Sequence, residues 1–395
     1  MLRIEADLTT TLAGFARAGD LNDLQILSHA ERVTYTSFRL GQQLQLPQNE
    51  LEELVLSALI HDIGVSTTGE KLKLADLQPQ QGTASAHCKR GYELLKPTKL
   101  FSGLALNVLE HHNYYSPDLR IIPAIIHVAD RLEFVIRKDK YYLWQKEDVL
   151  AYFRSKEGTL FHPDVVEALE SLTLVPSFWL DLQYENYQAF QEELQSFRRL
   201  LTLDELEEIA QLVATIVDSK SPFTGAHSQG VTRIAGFLAT AMGMSEHRVR
   251  LIKIAGLLHD IGKLAIPDEI LMYPGPLDKK QRAIMKQHTY HTYYLVGSIG
   301  PGVQPLQRWA AYHHERLNGT GYPFALKAED LEPESRLMAV ADITQALLET
   351  RPYRQGLAHE KVKEILQNNV NAGHIDGEIT ALAIEHLDEI SALVF

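Results

Sequence analysis

The chain has a single cysteine, Cys88, in 395 residues. No intrachain disulfide can form, and a free thiol fits a reducing cytoplasm. Positive charge is also scarce: 38 Lys and Arg face 51 Asp and Glu, for a formal net charge of −13. That balance leaves no broad basic surface for a nucleic-acid polymer or an anionic membrane. An anionic substrate would need a locally positive pocket. No apolar run approaches the roughly 18 residues that span a bilayer, so membrane insertion is not expected. Met1 to Leu12 lack a basic start followed by an apolar run, so no signal peptide is read there. The expected location is the cytoplasm. Strand-like alternation is rare as well.

What is present is helical periodicity. Leu51, Leu54, Val55 and Ala58 follow the i, i+3, i+4, i+7 spacing of one buried helix face, and Leu251, Ile254, Ala255 and Leu258 repeat it. Pro and Gly cluster at Pro267 to Pro276 and at Gly300 to Pro305, which reads as loops between helices. The length suggests two domains. With 45% apolar residues, each half can bury a core. The stretch from Asp181 to Leu206, charged and rich in Gln, Glu and Leu, reads as a helical connector. The expected domains are residues 1–180 and 205–395, with the connector at 181–204.

The two halves repeat one ordered set of residues. His29 lies 32 residues before His61-Asp62, as His227 lies 32 before His259-Asp260. Both dipeptides continue as Ile-Gly. A single His follows (His87, His288), then a His-His pair (His111-His112, His313-His314). Each series closes with an Ala-Asp near the start of an apolar helix, at Asp130 and Asp342. A lone buried His is more often a satisfied core residue than a ligand. Chance is a poor explanation for seven matches in order.

These side chains suit metals. Neutral imidazole and carboxylate are good ligands for iron, manganese or zinc. A His-Asp pair at a helix end can set the Asp oxygens between two ions. Two such ions clamp a phosphoester, acidify bound water and neutralise phosphate charge. A His-rich set with no thiolates suits an open, catalytic centre better than a structural zinc site.

The second half, roughly residues 205–395, resembles the HD-GYP family. It carries HDIGKLAIPDEIL at His259 to Leu271, HHERLNGTGYP at His313 to Pro323 and RPYR at Arg351 to Arg354. The resemblance implies an all-α fold of two tandem HD-type domains. It implies phosphodiesterase activity on a cyclic dinucleotide, cyclic di-GMP or 3′,3′-cyclic GMP-AMP, yielding a linear dinucleotide. Carried over, the metal ligands are His227, His259, Asp260, His288, His313, His314 and Asp342, with Asp260 bridging. Lys263 would contact the scissile phosphate as a mobile point charge. Tyr322 would sit near a base, and Arg351 and Arg354 would bind phosphate or a base edge. Three-metal members have a Glu where this chain has Phe223, so two divalent ions, iron or manganese, are expected. The chain also departs at Asn318, where the family has Asp, and at Thr292, where it has Gly.

The first half resembles an HD domain without the Gly-Tyr-Pro loop. It keeps the seven ligand-type residues but has Val65 at the lysine position. It is read as a second catalytic centre, a regulatory metal or ligand site, or a structural pseudodomain. Two other functions stay open for the whole chain: a silent cyclic-dinucleotide-binding module, or a phosphohydrolase of another nucleotide. The oligomeric state is not fixed by the sequence, and a homodimer is compatible with it.

Overall fold

The computed structural model describes residues 5–21, 27–65, 67, 69–70, 86–220, 227–350 and 355–394. Among these residues the regular elements are all helical, with isolated bridges only at Asp7–Leu200, Glu157–Phe161 and Asn318–Lys327. The chain divides into two compact units. The first is Leu8–Arg199; the second joins Met1–Asp7 to Leu200–Phe395.

In the first unit, α1 (Leu8–Asp20), α2 (His29–Gln43), α3 (Gln48–Leu59), α4 (Ala86–Leu95), α5 (Ala105–Glu110) and α6 (Ile121–Val135) surround the repeated residues. Helix α2 packs on α3 and α6, and α4 on α5. In the second unit, α7 (Leu203–Lys220), α8 (His227–Ala241), α9 (Glu246–Leu258), α10 (Gln287–Gly297), α11 (Gln304–Ala311) and α12 (Pro333–Leu348) do the same. Helix α8 packs on α9 and α12. The apolar stripe of α9, Leu251, Ile254, Ala255 and Leu258, is buried as its spacing requires. Burying each Leu or Ile contributes roughly 1.5–3 kcal/mol.

The residues read as a connector hold the end of a helix at Pro176–Tyr184, a helix at Gln188–Leu194 and the first residues of α7. Their first part is packed into the first unit. Tyr187 and Phe190 lie 4.9 and 5.6 Å from the Tyr35 ring, and Phe197 lies 6.1 Å from Phe38. The charged, Gln-, Glu- and Leu-rich composition around these aromatics is what reads as a helical connector in sequence.

The glycine of each HDIG has a steric cause. A Cβ on Gly262 would lie 1.9 Å from the His288 carbonyl oxygen, and one on Gly64 would lie 2.1 Å from that of His87. The turn after the HD dipeptide therefore presses backbone to backbone on the helix carrying the third His. Thr292 secures the second unit's version: its hydroxyl donates to the His259 carbonyl at 2.9 Å and accepts from the Gly262 N–H at 3.1 Å. We expect Gly262→Ala to cost about 1–3 kcal/mol through forced backbone displacement. Thermal denaturation checks this, and a melting temperature equal to wild type would rule the contact out as a constraint.

Candidate metal centre

Five segments of the second unit deliver its site. His227 is the first residue of α8. Its helix start is fixed by Asp218, which accepts from the Ser228 N–H at 3.2 Å and from its hydroxyl at 2.9 Å. His259 and Asp260 follow the end of α9, whose N-cap Ser245 accepts from the Arg248 N–H. His288 lies in the first turn of α10, His313-His314 follow α11, and Asp342 lies within α12. His227, His259, His288, His313, Asp260 and Asp342 are all buried.

The two oxygens of Asp260 face different groups. Oδ2 is 3.1 Å from His259 Nε2 and 4.0 Å from His227 Nε2, while Oδ1 is 3.5 Å from His288 Nε2. Asp342 divides similarly, with Oδ1 3.2 Å from His227 Nε2 and Oδ2 3.8 Å from His314 Nδ1. Three overlapping three-donor groups result, His227/His259/Asp342, His288/His313/His314 and His259/Asp260/His313, each with its ligand atoms within 4.8 Å of one another. All seven ligand-type residues read from the sequence are thus brought together.

The imidazole hydrogen bonds test whether a cation fits. His288 Nδ1 donates to the Met285 carbonyl and His313 Nδ1 to the Ala310 carbonyl, at 2.7 and 2.8 Å. In the neutral rings the proton is then on Nδ1, so each Nε2 carries a lone pair. Those two Nε2 atoms face one another at 3.3 Å. Opposed lone pairs repel, and a cation between them turns repulsion into coordination. Such backbone-anchored imidazoles are usual among metal ligands. His259 is anchored likewise, with Nδ1 on the Gly256 carbonyl at 2.7 Å.

Protonation states agree. Burial pushes His288 down to about 3 and holds His313 well below its ordinary value. Burial works against charge on Asp260, but His259 and Lys263 outweigh it and keep this carboxyl well below the usual range. Burial also opposes charge on His227, yet Asp342 and Glu349 push it up to about 9. Neutral imidazoles and ionised carboxylates are the forms that bind metal, and a proton on His227 would leave as metal enters.

Lys263 Nζ lies 2.5 Å from Asp260 Oδ2. The Tyr322 ring centre is 5.0 Å from that of His314, and Lys286 Nζ is 4.8 Å from the Tyr322 ring centre. Glu315 holds the loop that carries Tyr322, accepting from the N–H groups of Phe324 and Leu326 at 2.7 and 3.0 Å. The departure at Asn318 has a use: its amide donates to the Ala372 carbonyl at 3.0 Å, which a carboxylate could not do. Phe223, Arg351 and Arg354 lie outside the described residues.

The first unit forms the same constellation. Asp62 Oδ2 is 3.6 and 3.5 Å from the Nε2 atoms of His29 and His61, and Oδ1 is 3.5 Å from that of His87. Asp130 Oδ1 is 3.4 Å from His29 Nε2, and Oδ2 is 3.8 Å from His112 Nε2. The fixed charge differs. Val65 replaces the lysine, and Arg131 places a guanidinium nitrogen 3.1 Å from Asp130 Oδ2.

Two stretches of the chain match the HD domain family, residues 26–134 and 211–379. The chain is 31% identical to 3′3′-cGAMP-specific phosphodiesterase 1 of Vibrio cholerae, over 92% of this chain and 88% of that protein. It belongs to the HD-GYP phosphodiesterases. 3′3′-cGAMP-specific phosphodiesterase 3 of the same organism is 25% identical over 95% of this chain and 93% of its own length. The response regulator RpfG of Xanthomonas campestris, a cyclic di-GMP phosphodiesterase, is 37% identical over 45% of this chain and 48% of its own length. The fold matches a crystal structure of a cyclic GMP-AMP specific phosphodiesterase from V. cholerae, with a TM-score of 0.65, 22% identity and 98% of both chains covered.

This HD-GYP chain therefore carries two HD domains, and HD domains are metal-dependent. No helix among the described residues is long and apolar enough to cross a membrane. Several neighbours of the site were missed in sequence. Asp20 accepts from the Ala30 N–H at 2.9 Å, as Asp218 does from Ser228. The pair shares the separation that relates His29 to His227, so the repeat itself could have revealed it. Glu349 Oε2, 3.4 Å from His227 Nδ1, has no counterpart in the repeat to flag it.

Proposed function

We propose that the second unit hydrolyses a 3′,5′-phosphodiester of a cyclic dinucleotide, with 3′,3′-cyclic GMP-AMP as preferred substrate, and releases a linear dinucleotide. The observation that carries the hydrolytic reading is the pair of committed imidazoles, His288 and His313, whose lone pairs converge at 3.3 Å beside Asp260. The base preference rests on likeness: the relatives matched along nearly their whole length act on 3′3′-cGAMP by name.

His227, His259, Asp260, His288, His313, His314 and Asp342 would hold two divalent ions, iron or manganese. Such ions polarise a phosphoryl oxygen and supply a strong oxygen nucleophile at neutral pH. Asp260, with one oxygen toward His259 and the other toward His288, would bridge them. Lys263 offers an ammonium to the phosphate's developing charge. Tyr322 gives a base an aromatic face, and Arg351 and Arg354 supply forked donors to phosphate or a base edge. The protein works in the cytoplasm, as a monomer or a homodimer.

The test is turnover of cyclic GMP-AMP, cyclic di-GMP and cyclic di-AMP by iron- and manganese-loaded protein, with products resolved by chromatography. Binding without turnover in metal-loaded protein would overturn the reading. The first unit lacks the lysine and the Gly-Tyr-Pro loop. We therefore expect the full-length His61→Ala/Asp62→Ala protein to retain most of its turnover. Loss of most activity with the second unit's metal retained would assign the chemistry to the first site.

A further inference from the structure

The two units differ beside the third histidine. In the second unit the next residue is Thr289, whose hydroxyl donates to the Lys286 carbonyl of its own chain segment at 3.1 Å. In the first unit it is Cys88, fully buried. Its Sγ lies 3.5 Å from His87 Nε2 and 3.7 Å from His111 Nδ1. The His87 and His111 Nε2 atoms are themselves 3.3 Å apart. His87, Cys88, His111 and His112 each offer a ligand atom within 4.8 Å of the others.

We propose that the first unit holds a divalent metal in a mixed site that includes the Cys88 thiolate with His87, His111 and His112, and that this site favours zinc.

Distances support it. Tetrahedral zinc with Zn–N near 2.0–2.1 Å and Zn–S near 2.3 Å sets ligand atoms about 3.3–3.4 Å apart for N and N and about 3.5–3.6 Å for N and S. From His87 Nε2 the observed separations are 3.3 Å to His111 Nε2 and 3.5 Å to Cys88 Sγ; the contact of Sγ with His111 is to Nδ1, the protonated nitrogen, and plays no part in this fit. His111 Nδ1 donates to the Val108 carbonyl at 2.7 Å, which fixes the lone pair on Nε2. A thiolate is a soft ligand and shifts preference toward zinc and away from manganese. On binding, the S–H bond gives its proton to solvent as sulfur takes the metal, with no change of oxidation state. Three imidazoles and a thiolate fill four positions, the pattern of a closed site rather than an open catalytic one. Val65 stands where the second unit has Lys263.

Because the chain has one cysteine, any thiolate-to-metal charge transfer reports on Cys88 alone. Cobalt(II) serves as the probe in full-length protein. Wild type and the His259→Ala/Asp260→Ala variant are each expected to show a thiolate-to-cobalt band in the near ultraviolet. Cys88→Ser should lose the band and weaken zinc binding at the first unit about tenfold or more in a competition titration. Cobalt bound without the band in wild type, or zinc affinity unchanged in Cys88→Ser, would overturn the assignment. The wild-type spectrum decides even if the variant folds poorly.

Discussion

Replacing His259 and Asp260 with alanine is expected to lower cyclic-dinucleotide turnover by about a thousandfold or more while leaving the helical circular dichroism largely intact. The reason lies in the two faces of Asp260. Its oxygens address His259 and His227 on one side and His288 on the other, so its loss removes the carboxylate that lies between them. Removing His259 also takes away an imidazole anchored on Gly256. Several kcal/mol of charge stabilisation by metal would go with them, and about 4 kcal/mol corresponds to a thousandfold in rate. Both side chains are buried, so some thermal stability is lost too. Metal content should therefore be measured by elemental analysis beside the rate. Substantial turnover in this variant would sink the assignment of the second unit as the catalytic one.

The part of the site legible in the sequence was the part written twice. The repeat marked seven residues in each half, and the fold brings both sets together, because equivalent helices start and end at equivalent places. The helical class was legible for a similar reason: α9 buries the stripe that its spacing announces. What the repeat could not mark was where the halves differ. Arg131 and Cys88 occupy positions with other residue types in the second unit, and their meaning appears only when α4, α5 and α6 converge. The residues after Asp181 were read from their composition as a connector. Three aromatics spaced along a polar stretch find a groove beside Tyr35 and Phe38, and no local pattern names that partner.

Lys263→Met is expected to reduce kcat about a hundredfold with metal retained. Its ammonium sits 2.5 Å from Asp260 Oδ2 and is only partly shielded, with the side chain 18% exposed against 5% for the carboxylate. An incoming phosphate can therefore share the ammonium without Lys263 leaving its place. Removing one preorganised donor to a developing oxyanion costs about 10²–10³ in rate. Methionine keeps the length and the apolar stem, so packing against the turn is largely preserved. Metal binding should persist, since none of the seven ligand-type residues is changed and Asp260 loses only a competing cation. The loss should appear in kcat more than in KM if the charge acts on the transition state, and in KM alone if Lys263 merely holds substrate. Val65 makes the same comparison natural within one chain: the first unit has the ligands without the ammonium. A Lys263→Met enzyme with metal bound and kcat within about threefold of wild type would remove Lys263 from the catalytic role, because a charge at the phosphate cannot be that silent.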